Sequence, residues 1–132
     1  MSIQLNHTIV SARDPQASAA FLADILGVAA PVPFGPFHGV TLDNGVTIDF
    51  LQDDGDITIQ HYAFLVSEDE FDSIFSRIRA RQLTYWADPR HQHAGQINHN
   101  DGGRGVYWND PNGHYLEILT RPYGSGEPAA GR

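Results

Sequence analysis

The 132-residue chain contains no cysteine, which removes disulfides, thiolate metal ligands and cysteine nucleophiles together. Any bound metal must therefore be held by His, Asp or Glu. Basic residues are scarce: Lys+Arg 8 stand against Asp+Glu 16, a formal charge of -8, and no run of them makes a local basic patch. Such a surface repels phosphate backbones and anionic membranes, so neither nucleic acid nor a membrane is an expected partner. Long hydrophobic runs are also missing. None approaches the roughly 20 residues needed to cross a bilayer, and residues 1–10 lack a basic stretch ahead of an apolar core. The expected location is cytoplasmic. No Gly-rich phosphate loop leads from a strand into a helix, and no Ser sits in a nucleophile elbow, so nucleotide and hydrolase readings lose support.

What the chain does contain is 7 histidines and an internal repeat. The first segment, about 5–51, opens with a β-prone stretch, Leu5-Asn6-His7-Thr8-Ile9-Val10. Asp14 as N-cap and Pro15 at the first helical position predict a helix there. Its apolar stripe is Ala17, Phe21, Leu22, Ile25 and Leu26, and Gly27 is placed to end it. Pro31, Pro33 and Pro36 forbid further helix. Two β-rich runs, 38–42 and 46–51, are joined by Asp43-Asn44-Gly45, a hairpin signal in which Asn-Gly supplies positive φ angles.

The second segment repeats that order. A β run at 57–66 leads into Ser67-Glu68-Asp69-Glu70, a capping box ahead of the stripe Phe71, Ile74, Phe75 and Ile78. Residues 83–86 read as a strand, 88–103 as a long irregular loop, and 106–108 and 115–119 as strands joined by Asp110-Pro111-Asn112-Gly113. Aligned, Gly45-Val46-Thr47-Ile48-Asp49-Phe50-Leu51 and Gly113-His114-Tyr115-Leu116-Glu117-Ile118-Leu119 share glycine, an acid and leucine in register. The expectation is an α+β fold of two tandem βαβββ modules, about 3–53 and 57–121, in a single domain 1–121, followed by a flexible tail 122–132.

Under this register His7 corresponds to His61, and Asp49 to Glu117. Strand alternation puts each candidate beside apolar odd-numbered neighbours such as Leu5, Ile9 and Ala63, so the ligands should share a face with core residues. A carboxylate there needs a cation or donors to offset its desolvation. Two His and one acid form the facial triad that suits a divalent ion. A packed or half-exposed strand histidine is the competing account of each residue taken singly. The coincidence of paired positions is what favours metal.

These residues, with His61-Tyr62-Ala63-Phe64-Leu65-Val66 and the stretch Gly105-Val106-Tyr107-Trp108-Asn109-Asp110-Pro111-Asn112-Gly113-His114-Tyr115-Leu116-Glu117, resemble the vicinal oxygen chelate superfamily. That superfamily includes glyoxalases, extradiol dioxygenases, fosfomycin-modifying enzymes and bleomycin-resistance proteins. The resemblance covers about 5–121. It implies curved mixed sheets around a metal-containing cleft, a homodimer, and one divalent ion per site (Fe2+, Mn2+, Ni2+ or Zn2+). It further implies His7, His61 and Glu117 as metal ligands, with Asp49 where glyoxalases carry a fourth carboxylate, usually Glu. Asp49 or Glu117 would then act as the catalytic acid or base on a small substrate chelated through adjacent oxygens, in lyase/isomerase or dioxygenase chemistry. A metal-free protein that sequesters a bleomycin-type drug is the alternative.

Secondary candidates are weaker. His91, His93 and His99 crowd the 88–103 loop, where a lid, a second metal site or a solvated loop are all open. Tyr62, Trp86, Tyr107 and Trp108 fit core better than an aromatic pocket, and Arg104 fits the surface better than an anionic substrate.

Overall fold

The computed structural model describes residues 2–126, and the chain divides into two compact units, 1–58 and 59–132. In the first, β1 (His7–Ala12) is followed by α1 (Pro15–Leu26), then β2 (Val32–Phe34), β3 (Phe37–Thr41) and β4 (Thr47–Gln52). The sheet order is β1-β4-β3-β2, with β1 parallel to β4 and the other pairs antiparallel. The predicted helix signals operate: Asp14 Oδ1 accepts from the Ala17 N–H at 3.1 Å, and Gly27 ends the helix at φ 74°. The buried stripe is Ser18, Ala19, Leu22, Ala23 and Ile25, while Ala17, expected inside, is exposed. Small residues dominate that face, which lets α1 lie close on β1, β3 and β4. β2 was not foreseen as a strand because Pro33 sits in its middle; it pairs with β3 alone, and only such an edge tolerates a residue without an N–H. In the hairpin turn Gly45 alone takes positive φ, 85°, and Asn44 instead accepts from the Val46 N–H at 3.2 Å.

The second unit comprises β5 (His61–Leu65), α2 (Glu68–Ala80), β6 (Tyr85–Trp86), a 3-10 turn at Asn100–Gly102, β7 (Gly105–Asn109) and β8 (Tyr115–Leu119). Its sheet order, β5-β8-β7-β6, reproduces the first. The registers agree too: His7 pairs with Thr47 and Ile9 with Asp49, as His61 pairs with Tyr115 and Ala63 with Glu117. The two tandem modules are therefore a repeat at the level of individual residues. The capping box at Ser67 closes in both directions, and Phe71, Ile74 and Ile78 are the buried face of α2. Arg104 is committed to α2: it bonds Glu68 Oε1 and Asp72 Oδ1, each at 2.8 Å, and its guanidinium lies 4.3 Å over the Phe71 ring. The β7–β8 turn is built by Asp110, whose Oδ1 accepts from the N–H groups of Asn112 at 2.9 Å and His114 at 2.8 Å. Buried His114 in turn accepts through Nδ1 from the Gln60 N–H at 3.0 Å, which ties the start of β5 to β8.

The expected face assignment is corrected. On β1 the even-numbered Val10 and Ala12 are 2% and 0% exposed under α1, whereas Leu5 and Ile9 are 67% and 50% exposed. The odd-numbered candidates thus lie on the face of each sheet that its helix leaves uncovered, although Glu117 is buried there beneath other residues. Among the described residues no helix is long and apolar enough to cross a membrane.

Candidate functional site

In the first unit His7 stands exposed at the start of β1, its Nδ1 2.7 Å from Asn6 Oδ1. Asp49, on the adjacent strand, opens onto the same face, and both line a cleft of about 400 Å3 walled by Ile9, Val32, Phe34 and Phe37. Gly39 lies directly across from Asp49; a Cβ there would sit 2.8 Å from Asp49 Oδ1. The missing side chain keeps the carboxylate clear of β3.

The second unit holds its pair differently. Glu117 is 1% exposed, and its Oε1 lies 2.9 Å from Nε2 of half-exposed His61. Its other oxygen, Oε2, accepts from the Tyr123 hydroxyl, which is itself 2.8 Å from the Tyr107 hydroxyl. Burial, followed by the bond to Tyr123 and the charge of Glu117, holds the Tyr107 phenol far above the ordinary tyrosine range, so it keeps its proton. His61, Tyr107 and Tyr123 line a cleft of about 520 Å3 with Asp88, His93, Gln96, Asn98 and Asn100.

The 88–103 loop forms the polar wall of that cleft. Asp88 Oδ1 gathers the N–H groups of Gln92 at 3.0 Å and His93 at 2.8 Å, and Asn98 Nδ2 donates to Ala87 O at 2.8 Å. The three loop histidines separate in role. His93 faces the cleft. His91 stacks on Trp86 at 3.6 Å and packs against Tyr115 at 4.4 Å, and its burial lowers its proton affinity. His99 precedes the 3-10 turn. Trp108 is core, as expected, but Tyr107 lines the cleft. Tyr123, the one apolar anchor that the sequence offers in the segment expected to be a flexible tail, was given no chemical role. Residues 122–126 are tied down, Gly124 and Gly126 both donating to buried Asp101; residues 127–132 of that expected tail lie outside the described residues.

The structure thus brings together His61 with Glu117, and sets His7 and Asp49 on one sheet face. Among the described residues, no group of three or more His, Asp and Glu side chains is assembled as a metal site. The donor chemistry nevertheless fits a divalent ion. Imidazole Nε2 and a buried carboxylate oxygen meet at 2.9 Å, and a cation there would find two ligands of the right kind.

Residues 4–118 match the model of the Glyoxalase/Bleomycin resistance protein/Dioxygenase superfamily, and the chain belongs to that family. The solved structure of Oxidase ChaP-H1 superposes with a TM-score of 0.91 at 65% identity, covering 93% of this chain and 99% of that one. Metallothiol transferase FosB of Lysinibacillus sphaericus (strain C3-41) is 29% identical over 126 residues, 91% of this chain and 84% of that protein. Glutathione transferase FosA of Serratia marcescens is 26% identical over 122 residues, 86% of this chain and 78% of that protein.

Proposed function

We propose that the protein is a metal-dependent oxidase of the dioxygenase type, acting on a small substrate chelated through two adjacent oxygens. The ion, Fe2+ or another of Mn2+, Ni2+ and Zn2+, would be held by His7, His61 and Glu117, with Asp49 as a fourth carboxylate. The observation that carries this reading is the buried Glu117 carboxylate against His61 Nε2, matched by His7 and Asp49 at the equivalent places of the other unit. When bound, the ion supplies Lewis acidity and stabilises charge developing on the chelating oxygens.

The chain's own residues do the rest. In the first unit Ile9, Val32, Phe34 and Phe37 offer an apolar wall beside His7 and Asp49, and in the second the polar side chains of the 88–103 loop offer hydrogen-bond partners beside His61. Asp49, open to its cleft, accepts a hydroxyl proton at its carboxylate as the substrate binds. Oxidation is favoured over thiol transfer on two grounds. The oxidase relative is 65% identical, whereas the two transferases are 29% and 26% identical. Among the described residues no arginine lines either cleft to pair with the carboxylates of a thiol such as glutathione. A homodimer with one ion per site is part of this proposal.

Metal analysis of protein purified without chelators comes first; a content below about a tenth of an equivalent per chain, with no gain on adding Fe2+, Mn2+, Ni2+ or Zn2+, would sink the proposal. Anaerobic reconstitution with Fe2+, then oxygen uptake across a panel of catechols beside a thiol hemiacetal assay, should show oxygen consumption with the catechols only. Turnover of the hemiacetal alone would point to lyase chemistry instead. Metal-independent capture of a bleomycin-type glycopeptide by a His7→Ala/His61→Ala variant would favour sequestration.

A further inference from the structure

Resting on the metal reading above, we propose that Tyr123 is the positioning residue of the Glu117 carboxylate, holding Oε2 so that Oε1 alone turns to the ion. The proposal begins with the buried carboxylate. Glu117 is 1% exposed and has two oxygens to satisfy: Oε1 faces His61 Nε2 at 2.9 Å, and Oε2 receives the Tyr123 hydroxyl proton. A phenol hydrogen bond to one carboxylate oxygen makes that oxygen the poorer ligand and favours binding a cation through the other. A bound ion would then keep room for a chelating substrate.

Tyr123 is delivered by a short strap built for the purpose. Asp101 is 1% exposed and has φ 58°, a conformation rare for a residue with a side chain. Its Oδ1 accepts from the N–H of Gly124 at 3.1 Å and of Gly126 at 3.3 Å, fixing the backbone on the C-terminal side of Tyr123. Gly126 runs so close that a Cβ would lie 2.1 Å from the Asp101 carbonyl oxygen. Ser125 N–H bonds back to Pro122 O at 3.1 Å, and the Arg121 guanidinium donates to Ser125 O at 3.2 Å. The Tyr107 hydroxyl, 2.8 Å from that of Tyr123, donates to its oxygen and directs the Tyr123 proton onto Glu117. The chain Tyr107, Tyr123, Glu117, His61 therefore has one consistent set of donors, each hydroxyl giving toward the carboxylate.

The test compares the full-length protein with Tyr123→Phe, which keeps the ring and removes the hydroxyl, and with Gly126→Ala, which displaces the strap and keeps the phenol. Mn2+ binding to the metal-free proteins is measured calorimetrically, together with the visible spectrum of the Co2+ forms and apo-protein melting. Both variants should bind Mn2+ about 10–100-fold more weakly, the usual cost of removing a hydrogen bond that orients a ligand, and should change the Co2+ spectrum. Tyr123→Phe should melt as the wild type does when metal-free. Wild-type protein that binds Mn2+ beside a Tyr123→Phe variant equal or tighter in affinity, with an unchanged Co2+ spectrum, overturns this proposal and leaves the metal reading standing. Wild-type protein that binds neither ion overturns both. A Tyr123→Phe chain that loses its apo melting transition also overturns the proposal, because the phenol would then be a structural tie.

Discussion

Asp49 and Glu117 hold equivalent places in the two units, yet they live in different surroundings. Each acid lies in an inner strand that pairs in parallel with the strand of its histidine, two residues beyond that histidine's partner. Around Asp49 the flanking residues are Ile9 on one strand and Gly39 on the other; around Glu117 they are Ala63 and Tyr107. Where glycine stands across, the acid is half-buried and opens onto its cleft. Where tyrosine stands across, and Tyr123 reaches in, the acid is buried and hydrogen bonded on both oxygens. Duplication has preserved backbone register to the residue, while cross-strand neighbours set the chemistry of each copy. The extra length of the 88–103 loop widens the difference, since it brings Asp88, His93, Gln96, Asn98 and Asn100 to one cleft, while the polar lining of the other, Asn6, His7, Thr41, Thr47 and Asp49, stands on or beside its strands.

Core truncations probe that comparison with the largest effects. Phe71→Ala in α2 should cost about 3–5 kcal/mol and Leu22→Ala in α1 about 2–5 kcal/mol, read from urea midpoints. A loss under about 1 kcal/mol at either site would mean that one unit contributes little to cooperative stability. Glu117→Gln should next lower kcat/KM on the best catechol at least about 100-fold, or about 2.7 kcal/mol. Asp49→Asn should lower it about tenfold, or about 1.4 kcal/mol. Equal losses would erase the asymmetry between the acids. The helix starts come third: Asp14→Ala and Ser67→Ala should each cost about 1 kcal/mol, and a clear excess at Ser67 would show that the reciprocal box contributes beyond a simple cap.

The smallest effect is a pH slope peculiar to the second unit. Burial lowers the proton affinity of His91 below its ordinary value of 6.5, so the unfolded chain takes up the proton first as acid is added. The stability tied to neutral His91 is whole above that value and is lost as pH falls through it. Melting temperature should therefore drop less steeply between about pH 7 and 5 in His91→Gln than in the wild type. Parallel curves would assign the acid sensitivity elsewhere.

Much of the fold was legible because its signals are local. Asp14-Pro15, Gly27 and the Ser67 box act on backbone groups within one turn, and Gly45 and Gly113 take positive φ in equivalent turns. The strand β2 was hidden by Pro33, whose missing N–H matters only if the strand is not an edge. Ala17 was misplaced because the helix stripe is rotated toward its small residues, a choice made by the sheet beneath. Of the candidate site, the paired positions of the four candidate ligands could be read from the repeat, whereas the contact of Tyr123 with Glu117 could not. It sits in a Gly/Pro/Ser stretch whose order depends on Asp101, more than twenty residues earlier.

From the sequence alone came the two modules, the family resemblance and the paired positions His7/His61 and Asp49/Glu117, because periodicity and turn chemistry are written in neighbouring residues. Only the tertiary structure decided which sheet face is open, that one acid is buried and the other free, and that a strap near the C-terminus supplies Tyr123. Those outcomes depend on which side a helix covers and on what stands across a strand, and no stretch of neighbouring residues contains that information.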